Sequence, residues 1–333
     1  MNNPATASLE ASAAQATLFR RVILGVVAGM AVYVGFALWA DARQVGAALG
    51  RYHWWTAGAG LLLAALNYAL RFVRWQAYLQ RLQLKVPRKE SLLIFLSGFA
   101  LTVTPGKLGE ALKSLLLKQS HGMAVARTAP IVLVERLTDL AGLLLLATVG
   151  AFSFPVDKRF LLAGAAVVLV GLLFASVEAL AKPAIFLVGR IPGFRRLSGS
   201  LHEAQASAAL LLKPVPLVSA TLLSAVAWAC ECFAFWLIVN GFEGASLGMQ
   251  AGTFIYAAMT IAGALSFLPG GLGVTEAGML ALLVKFGTGI DHGAGAAATI
   301  LTRIATLWFA VVVGLGALVL YTRYQKARKH QRH

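Results

Sequence analysis

A short helix-breaking motif occurs twice in this sequence, each time inside an otherwise apolar stretch. Pro-Gly-Lys-Leu-Gly-Glu occupies residues 105–110, and Pro-Gly-Gly-Leu-Gly occupies residues 269–273, with Glu276 soon after. At membrane depth, an interrupted helix and its charges are tolerated only where they face protein or a water-filled cavity. Two matched copies therefore predict a functional site rather than a packing irregularity.

The composition indicates that both copies lie in a membrane protein. Hydrophobic residues make up 59% of the chain and charged residues 13%. A spanning helix needs about 20 predominantly apolar residues. Runs of this kind occur at 22–40, 54–79, 126–150, 159–180, 216–240 and 293–321. We predict an all-α polytopic membrane protein, with residues 1–333 forming a single membrane domain.

The two segments that contain the motif, 91–118 and 252–286, are predicted to be re-entrant helical hairpins. A first repeat over 22–150 and a second over 159–321 then hold three crossings each, which inverts the second repeat relative to the first. The predicted fold is six transmembrane helices plus two re-entrant helical hairpins in an inverted-topology repeat.

The distribution of lysine and arginine supports this topology. The segments predicted to be cytoplasmic hold 18 of these residues, against 5 in the segments predicted to be outside. The cytoplasmic segments are 1–21, 80–90, 118–127, 182–213 and 322–333, and the outside ones are 41–53, 151–159, 241–250 and 285–293. By the positive-inside rule both termini are cytoplasmic, and 182–213 is a cytoplasmic interfacial connection.

Each broken segment is predicted to present the N-terminus of a short helix to its tip. Such an end carries roughly half a positive charge and unpaired N–H groups, so two of them at mid-membrane favour an anion such as phosphate. Thr104 and Lys107 on one tip, and Thr275 on the other, add donors. The motif thus predicts an anion site.

Charged residues inside the spans complete the predicted site. Arg136 and Arg303 occupy equivalent positions in the two repeats, and a guanidinium matches phosphate geometry. An ion pair that holds the helix in place is the alternative for Glu135, Arg136 and Asp139. Three roles stay open for Glu110 and Glu276, namely stabilisation of the helix start, binding of an amine, and transfer of a coupling proton. The predicted substrate-binding residues are Thr104, Pro105, Gly106, Lys107, Glu110, Glu135, Arg136, Asp139, Pro269, Gly270, Thr275, Glu276 and Arg303.

Several polar residues are assigned to other roles. Arg71 and Arg74 are predicted to extend towards the cytoplasmic headgroups, and Glu231 either completes the cavity or is a packed neutral carboxyl. Cys230 and Cys232 are expected to be core residues. No metal, cofactor or nucleic acid partner is expected, because the sequence has no ligand spacing for a metal and its basic residues follow the membrane pattern.

Segments 99–110, 134–139, 268–276 and 302–303 together resemble the lysylphosphatidylglycerol synthase transmembrane region family over about residues 20–320. In the multiple peptide resistance factors of that family, the membrane part is held to flip aminoacylated phosphatidylglycerol, and a separate cytoplasmic domain transfers the aminoacyl group. This sequence ends at His333 without such a domain. The resemblance therefore implies lipid translocation and argues against lysyl transfer, and we expect no enzymatic activity.

The predicted function is flippase-like translocation of a phosphate-bearing lipid, aminoacylated ones included, across the bacterial inner membrane. The expected partner is a membrane phospholipid or a related anionic lipid, and assembly into a homo-oligomer is left open. The alternatives are a membrane enzyme or accessory subunit of lipid or polyprenyl-phosphate glycosylation that uses Glu135 and Asp139, and a small-solute or ion-coupled secondary transporter.

Overall fold

The chain folds into helices throughout the part that the computed structural model describes, which comprises residues 35, 42–104, 111–151, 159, 162–166, 170–171 and 197–330. Within these residues there is no β-strand, and one isolated bridge joins Ser246 and Thr288. The named helices are α1 (Ala42–Gly50), α2 (Trp54–Arg81), α3 (Arg88–Ser97), α4 (Leu112–His121), α5 (Val125–Ala151), α6 (Leu197–Leu211), α7 (Pro214–Val239), α8 (Met249–Leu265), α9 (Val274–Phe286), α10 (His292–Arg303) and α11 (Phe309–His330).

Three helical stretches among the described residues are clearly long and apolar enough to cross a bilayer. They are Trp54–Arg81, Pro214–Val239 and His292–Arg328, the last running through α10, a π-helical turn and α11. The shortest of them, 26 residues, extends about 39 Å at 1.5 Å per residue, against a hydrocarbon core of about 30 Å. The predicted runs 54–79, 216–240 and 293–321 are thereby confirmed as long apolar helices.

The other three predicted runs have different outcomes. The run 126–150 forms a long helix, α5, which also carries the charged residues Glu135, Arg136 and Asp139. The runs 22–40 and 159–180 lie largely outside the described residues, as do residues 105–110 with the first Pro-Gly motif.

Helices α8 and α9 form an antiparallel pair around the second Pro-Gly motif. Gly263 approaches Thr275, and the bridge between Ser246 and Thr288 joins the start of α8 to the end of α9. Between the helices, Gly270 has a φ of 62°, a left-handed conformation that glycine adopts without a Cβ clash. At 17 and 13 residues, α8 and α9 are about 25 and 20 Å long.

The start of α3 and the end of α4 lie at the same end of the molecule. Glu90 in the first turn of α3 lies 3.7 Å from His121 at the end of α4, measured from Oε2 to Nε2. This end adjoins the end of α2, because Arg127 donates to the Leu82 carbonyl. The open ends of α8 and α9 instead lie near the start of α2. His53, which directly precedes α2, has its Nδ1 3.0 Å from the carbonyl of Gly241, in the connection between α7 and α8. The two broken segments therefore open towards opposite ends of α2.

Helix α7 is central because it contacts α2, α5 and α8. It runs antiparallel to α2, and Asn67 in the middle of α2 donates to the Ala227 carbonyl over 2.8 Å. Buried side chains form two main hydrophobic clusters. One includes Trp228 and Tyr256, and the other includes Tyr68 and Phe99. Polar residues of the candidate site lie where these two clusters meet.

Candidate functional site

Arg303 and Glu276 form a buried ion pair at the tip between α8 and α9. Arg303 Nε donates to Glu276 Oε1 over 2.7 Å, and Arg303 Nη2 donates to the Gly270 carbonyl over 2.6 Å. The other carboxylate oxygen of Glu276 accepts from the Gly273 backbone N–H over 2.6 Å, directly before α9. Of the roles left open for Glu276, the structure thus supports stabilisation of the helix start, combined with an arginine contact.

Asp139 holds a second buried cluster of charges. Its Oδ1 accepts from Arg74 Nη1 over 2.7 Å and from the Ser224 hydroxyl over 2.8 Å. Its Oδ2 lies 3.5 Å from Arg71 Nη2 and 3.7 Å from Arg136 Nη1. One carboxylate on α5 therefore orients arginines from α2 and from its own helix.

The prediction that Arg71 and Arg74 extend towards headgroups is wrong. They are 8% and 1% exposed, and both point towards α5. Arg71 also lies over the rings of Phe99 and Trp228, at 5.3 and 5.8 Å from their centroids. A buried carboxylate and two aromatic faces compensate for the lost hydration of the guanidinium groups, so these side chains stay inside the protein.

A small cavity lies between the two broken segments. Phe99 and Thr102 line it from the first segment, and Gly270, Gly271 and Thr275 line it from the second. Its volume is about 70 Å³, enough for several water molecules at roughly 10–15 Å³ each. Residues that precede the first Pro-Gly motif and residues at the second motif thus line one small cavity.

The cavity wall carries more basic than acidic side chains. Among the described lining residues, Arg71, Arg136 and Arg303 are basic and Glu231 is acidic. Glu231 lines the cavity and accepts a hydrogen bond from the Tyr256 hydroxyl. Arg71 and Arg136 lie within ion-pair distance of Asp139, and Arg303 pairs with Glu276, so these carboxylates offset part of the positive charge of the wall.

Several other predicted site residues are not among those that line the cavity. Glu135 forms an ion pair with Lys113 of α4, and both side chains are buried. Thr104 donates to the Leu101 carbonyl over 2.7 Å, and Pro269 begins the 3-10 turn at the second tip. The predicted residues Pro105, Gly106, Lys107 and Glu110 fall outside the described part of the chain.

Sequence reasoning missed Lys113, Ser224 and the inward role of the α2 arginines. Lys113 is 2% exposed, and its ammonium lies 4.8 Å from the Trp75 ring centroid. A lysine within the mainly apolar segment 91–118 was the signal that could have identified it. Across the described ranges, no group of three or more His, Cys, Asp or Glu side chains is placed to hold a metal ion.

The chain is similar to a known family over most of its length. The family model of the lysylphosphatidylglycerol synthase TM region matches residues 23–314. A UPF0104 membrane protein of Methanothermobacter thermautotrophicus is 24% identical over 283 residues, which cover 78% of this chain and 83% of that protein. A UPF0104 membrane protein of Pyrococcus horikoshii is 25% identical over 297 residues, which cover 79% and 87%. With both broken segments and the cavity arginines inside the matched region, this helical, multi-pass membrane protein belongs to the family of the lysylphosphatidylglycerol synthase TM region.

Proposed function

We propose that this protein is a flippase-like translocator that binds the phosphate of a membrane lipid in the cavity between its two broken segments. The observation that carries the proposal is the convergence of Arg71, Arg136 and Arg303 on one cavity inside a membrane protein of this family. A guanidinium group donates to phosphate oxygens in a bidentate manner, and it stays charged at every physiological pH.

The cavity volume supports a headgroup site rather than a site for an entire lipid. A cavity of about 70 Å³ accommodates a phosphate-sized group. The acyl chains of the lipid can remain in the hydrocarbon core of the bilayer. Arg303 is already held by Glu276 and the Gly270 carbonyl. An arginine that is preorganised in this way loses little side-chain entropy when it binds a ligand.

The proposed membrane arrangement is six spanning helices and two re-entrant hairpins in an inverted repeat over 22–150 and 159–321, within a single membrane domain. The short lengths of α8 and α9, and the opposite directions in which the two broken segments open, support it. Both termini and the connection 182–213 are placed on the cytoplasmic side of the bacterial inner membrane. Alternating exposure of the cavity to each leaflet then moves the headgroup across.

Reconstitution tests this function directly. Purified protein in liposomes that contain a fluorescent anionic phospholipid should increase the fraction of label that an impermeant quencher reaches. Arg303→Gln should reduce the rate at least about tenfold, since losing one charged hydrogen-bond donor costs about 1.5–3 kcal/mol. Arg88→Gln changes an exposed arginine at the start of α3 and should leave the rate unchanged.

The same liposomes separate translocation from lipid chemistry. Mass spectrometry of the extracted lipid should detect the starting phospholipid alone, because the proposal involves no covalent step. Movement no faster than in protein-free liposomes would refute the proposal. A chemically modified lipid would instead support the membrane-enzyme alternative that uses Glu135 and Asp139.

A further inference from the structure

A second concave surface lies between the end of α2 and the start of α7. Its walls are mainly apolar and include Val73, Ala77, Val215 and Leu223. Its volume of about 450 Å³ lies in the range of roughly 300–1,000 Å³ typical of small-molecule sites. We call this surface the α2–α7 groove.

The groove has the dimensions and location of a site for an acyl chain. From Val73 to Arg81 it follows eight residues of α2, which is about 12 Å at 1.5 Å per residue. Val73 and Val215 are 57% and 75% exposed, so this wall faces the surroundings of the protein. Both helices are long and apolar enough to span a membrane, so we expect the exposed apolar residues of this wall to face lipid.

One end of the groove is basic. Arg81 and Gln80 line it, and Lys213 immediately precedes α7 at the same end. Arg81 and Lys213 are exposed. Basic residues near a membrane surface attract anionic lipid with about 1 kcal/mol each.

The inner wall of the groove holds a buried arginine with unused donors. Arg74 lines the groove and is 1% exposed. Its Nη1 donates to Asp139 and Thr138, whereas its Nε and Nη2 have no hydrogen-bond partner among the residues that the structure describes. Unsatisfied buried donors are costly, and those of a cation are the most costly. A lipid oxygen that reached Arg74 would satisfy them.

We propose that the α2–α7 groove binds one anionic phospholipid of the surrounding leaflet, separately from the cavity. Its acyl chain lies along Val73, Ala77, Val215 and Leu223, and its phosphate contacts Arg81 near Lys213. Asp139 links the two sites, because it pairs with Arg74 on the groove side and with Arg71 and Arg136 on the cavity side. This lipid site does not depend on the proposed translocation.

Equilibrium lipid binding tests the groove without a transport assay. The full chain in detergent is titrated with dioleoyl-phosphatidylglycerol or dioleoyl-phosphatidylcholine, and bound lipids are counted by native mass spectrometry. Ala77→Trp fills the groove and should weaken binding of both lipids about tenfold, equivalent to 1.4 kcal/mol. Leu62→Trp is the matched control, since Leu62 is 74% exposed on α2 away from the groove.

The headgroup contact has its own variant and control. Arg81→Gln should weaken phosphatidylglycerol binding about fivefold, the equivalent of one surface charge, and reduce the preference over phosphatidylcholine. Arg88→Gln should retain that preference. Undiminished lipid binding by Ala77→Trp, equal losses in Ala77→Trp and Leu62→Trp, or an unchanged preference in Arg81→Gln would overturn the proposal. Wild-type groove binding with no translocation would refute the proposed function alone.

Discussion

At the scale of single residues, Asp139 is the anion that three arginines of the site share. Arg74, Arg71 and Arg136 all lie within ion-pair distance of its carboxylate, although they differ in how closely they approach it. A buried ion pair adds little net stability, but removing one partner leaves an uncompensated charge. The arginines therefore depend on Asp139 for their positions.

Asp139→Asn should strongly destabilise the protein. The substitution preserves the shape of the side chain but leaves Arg74 without an ionised partner, at a cost of about 3–5 kcal/mol in the free energy of unfolding. Ser224→Ala removes one hydrogen bond from an uncharged donor to the same carboxylate and should cost about 1.5 kcal/mol. Denaturant unfolding in detergent micelles measures both variants. Equal stability of the two would contradict the role assigned to Asp139.

The pair of Arg303 and Glu276 should behave as one energetic unit. Each single substitution to glutamine leaves a buried charge behind, whereas the double variant leaves none, so the two losses should not add. We expect a coupling energy of about 1–3 kcal/mol in a double-mutant cycle of unfolding free energies. The cycle of Arg303→Gln with Asp291→Asn is the control. Asp291 caps the start of α10, and additivity within about 0.5 kcal/mol is expected there. Additivity in the Glu276 cycle would disprove the coupling.

The sequence located several of these residues but not their partners. Charged residues within apolar segments can be identified without knowledge of the fold. They include Arg136, Asp139, Glu276 and Arg303. Arg74 and Asp139 are 65 residues apart, and their contact depends on the rotation of two helices about their axes. Apolar composition does not determine that rotation, because both the lipid and the protein interior accept apolar side chains. The α2 arginines were therefore assigned to the wrong environment.

At the scale of helices, one close approach positions the first broken segment. An added Cβ on Gly314 of α11 would lie 2.2 Å from the backbone nitrogen of Ala100. Phe99 and Thr102, which line the cavity, flank Ala100 in that 3-10 region. The contact between α11 and this region therefore helps to set the geometry of the cavity.

Gly314→Ala should destabilise the protein, and Gly316→Ala should not. At Gly314 the methyl group would collide with backbone, and overpacking of this kind costs about 1–3 kcal/mol. At Gly316 nothing lies within 4 Å of an added Cβ. Alanine there should raise the free energy of unfolding by about 0.5–1 kcal/mol because it restricts the unfolded chain. Thermal unfolding of both variants compares them, and equal shifts would rule out the close contact as the cause.

The helix breaks were more predictable than the helix ends. Proline and glycine interrupt a helix through local backbone chemistry, so the motif at 269–273 correctly marked the end of one helix and the start of another. The predicted segment 252–286 begins three residues late, since α8 starts at Met249 after the extended residue Gly248. Apolar runs alone give no signal for such a cap, because no side chain bonds to that helix start.

At the scale of the whole molecule, the arrangement of the chain in the membrane follows from charge rather than from contacts. The open ends of α3 and α4 lie near the end of α2, and the open ends of α8 and α9 lie near its start. The side of the membrane that each end of α2 faces depends on the distribution of lysine and arginine. Arg81, Lys85, Lys89 and Lys118 all lie at the end where α3 and α4 open, so we expect that end to face the cytoplasm.

Cysteine labelling in intact cells tests this orientation and both proposed hairpins together. In a background with Cys230→Ala and Cys232→Ala, single cysteines are introduced by Lys85→Cys, Lys118→Cys, Glu243→Cys and Thr288→Cys, all at exposed positions. A membrane-impermeant maleimide should label Glu243→Cys and Thr288→Cys in intact cells, and the other two only after permeabilisation. Within each pair the two positions flank one broken segment. Agreement within both pairs is therefore required if each segment returns to the side it came from. Opposite accessibility within either pair would mean that its segment crosses the membrane, and the inverted repeat would then be wrong.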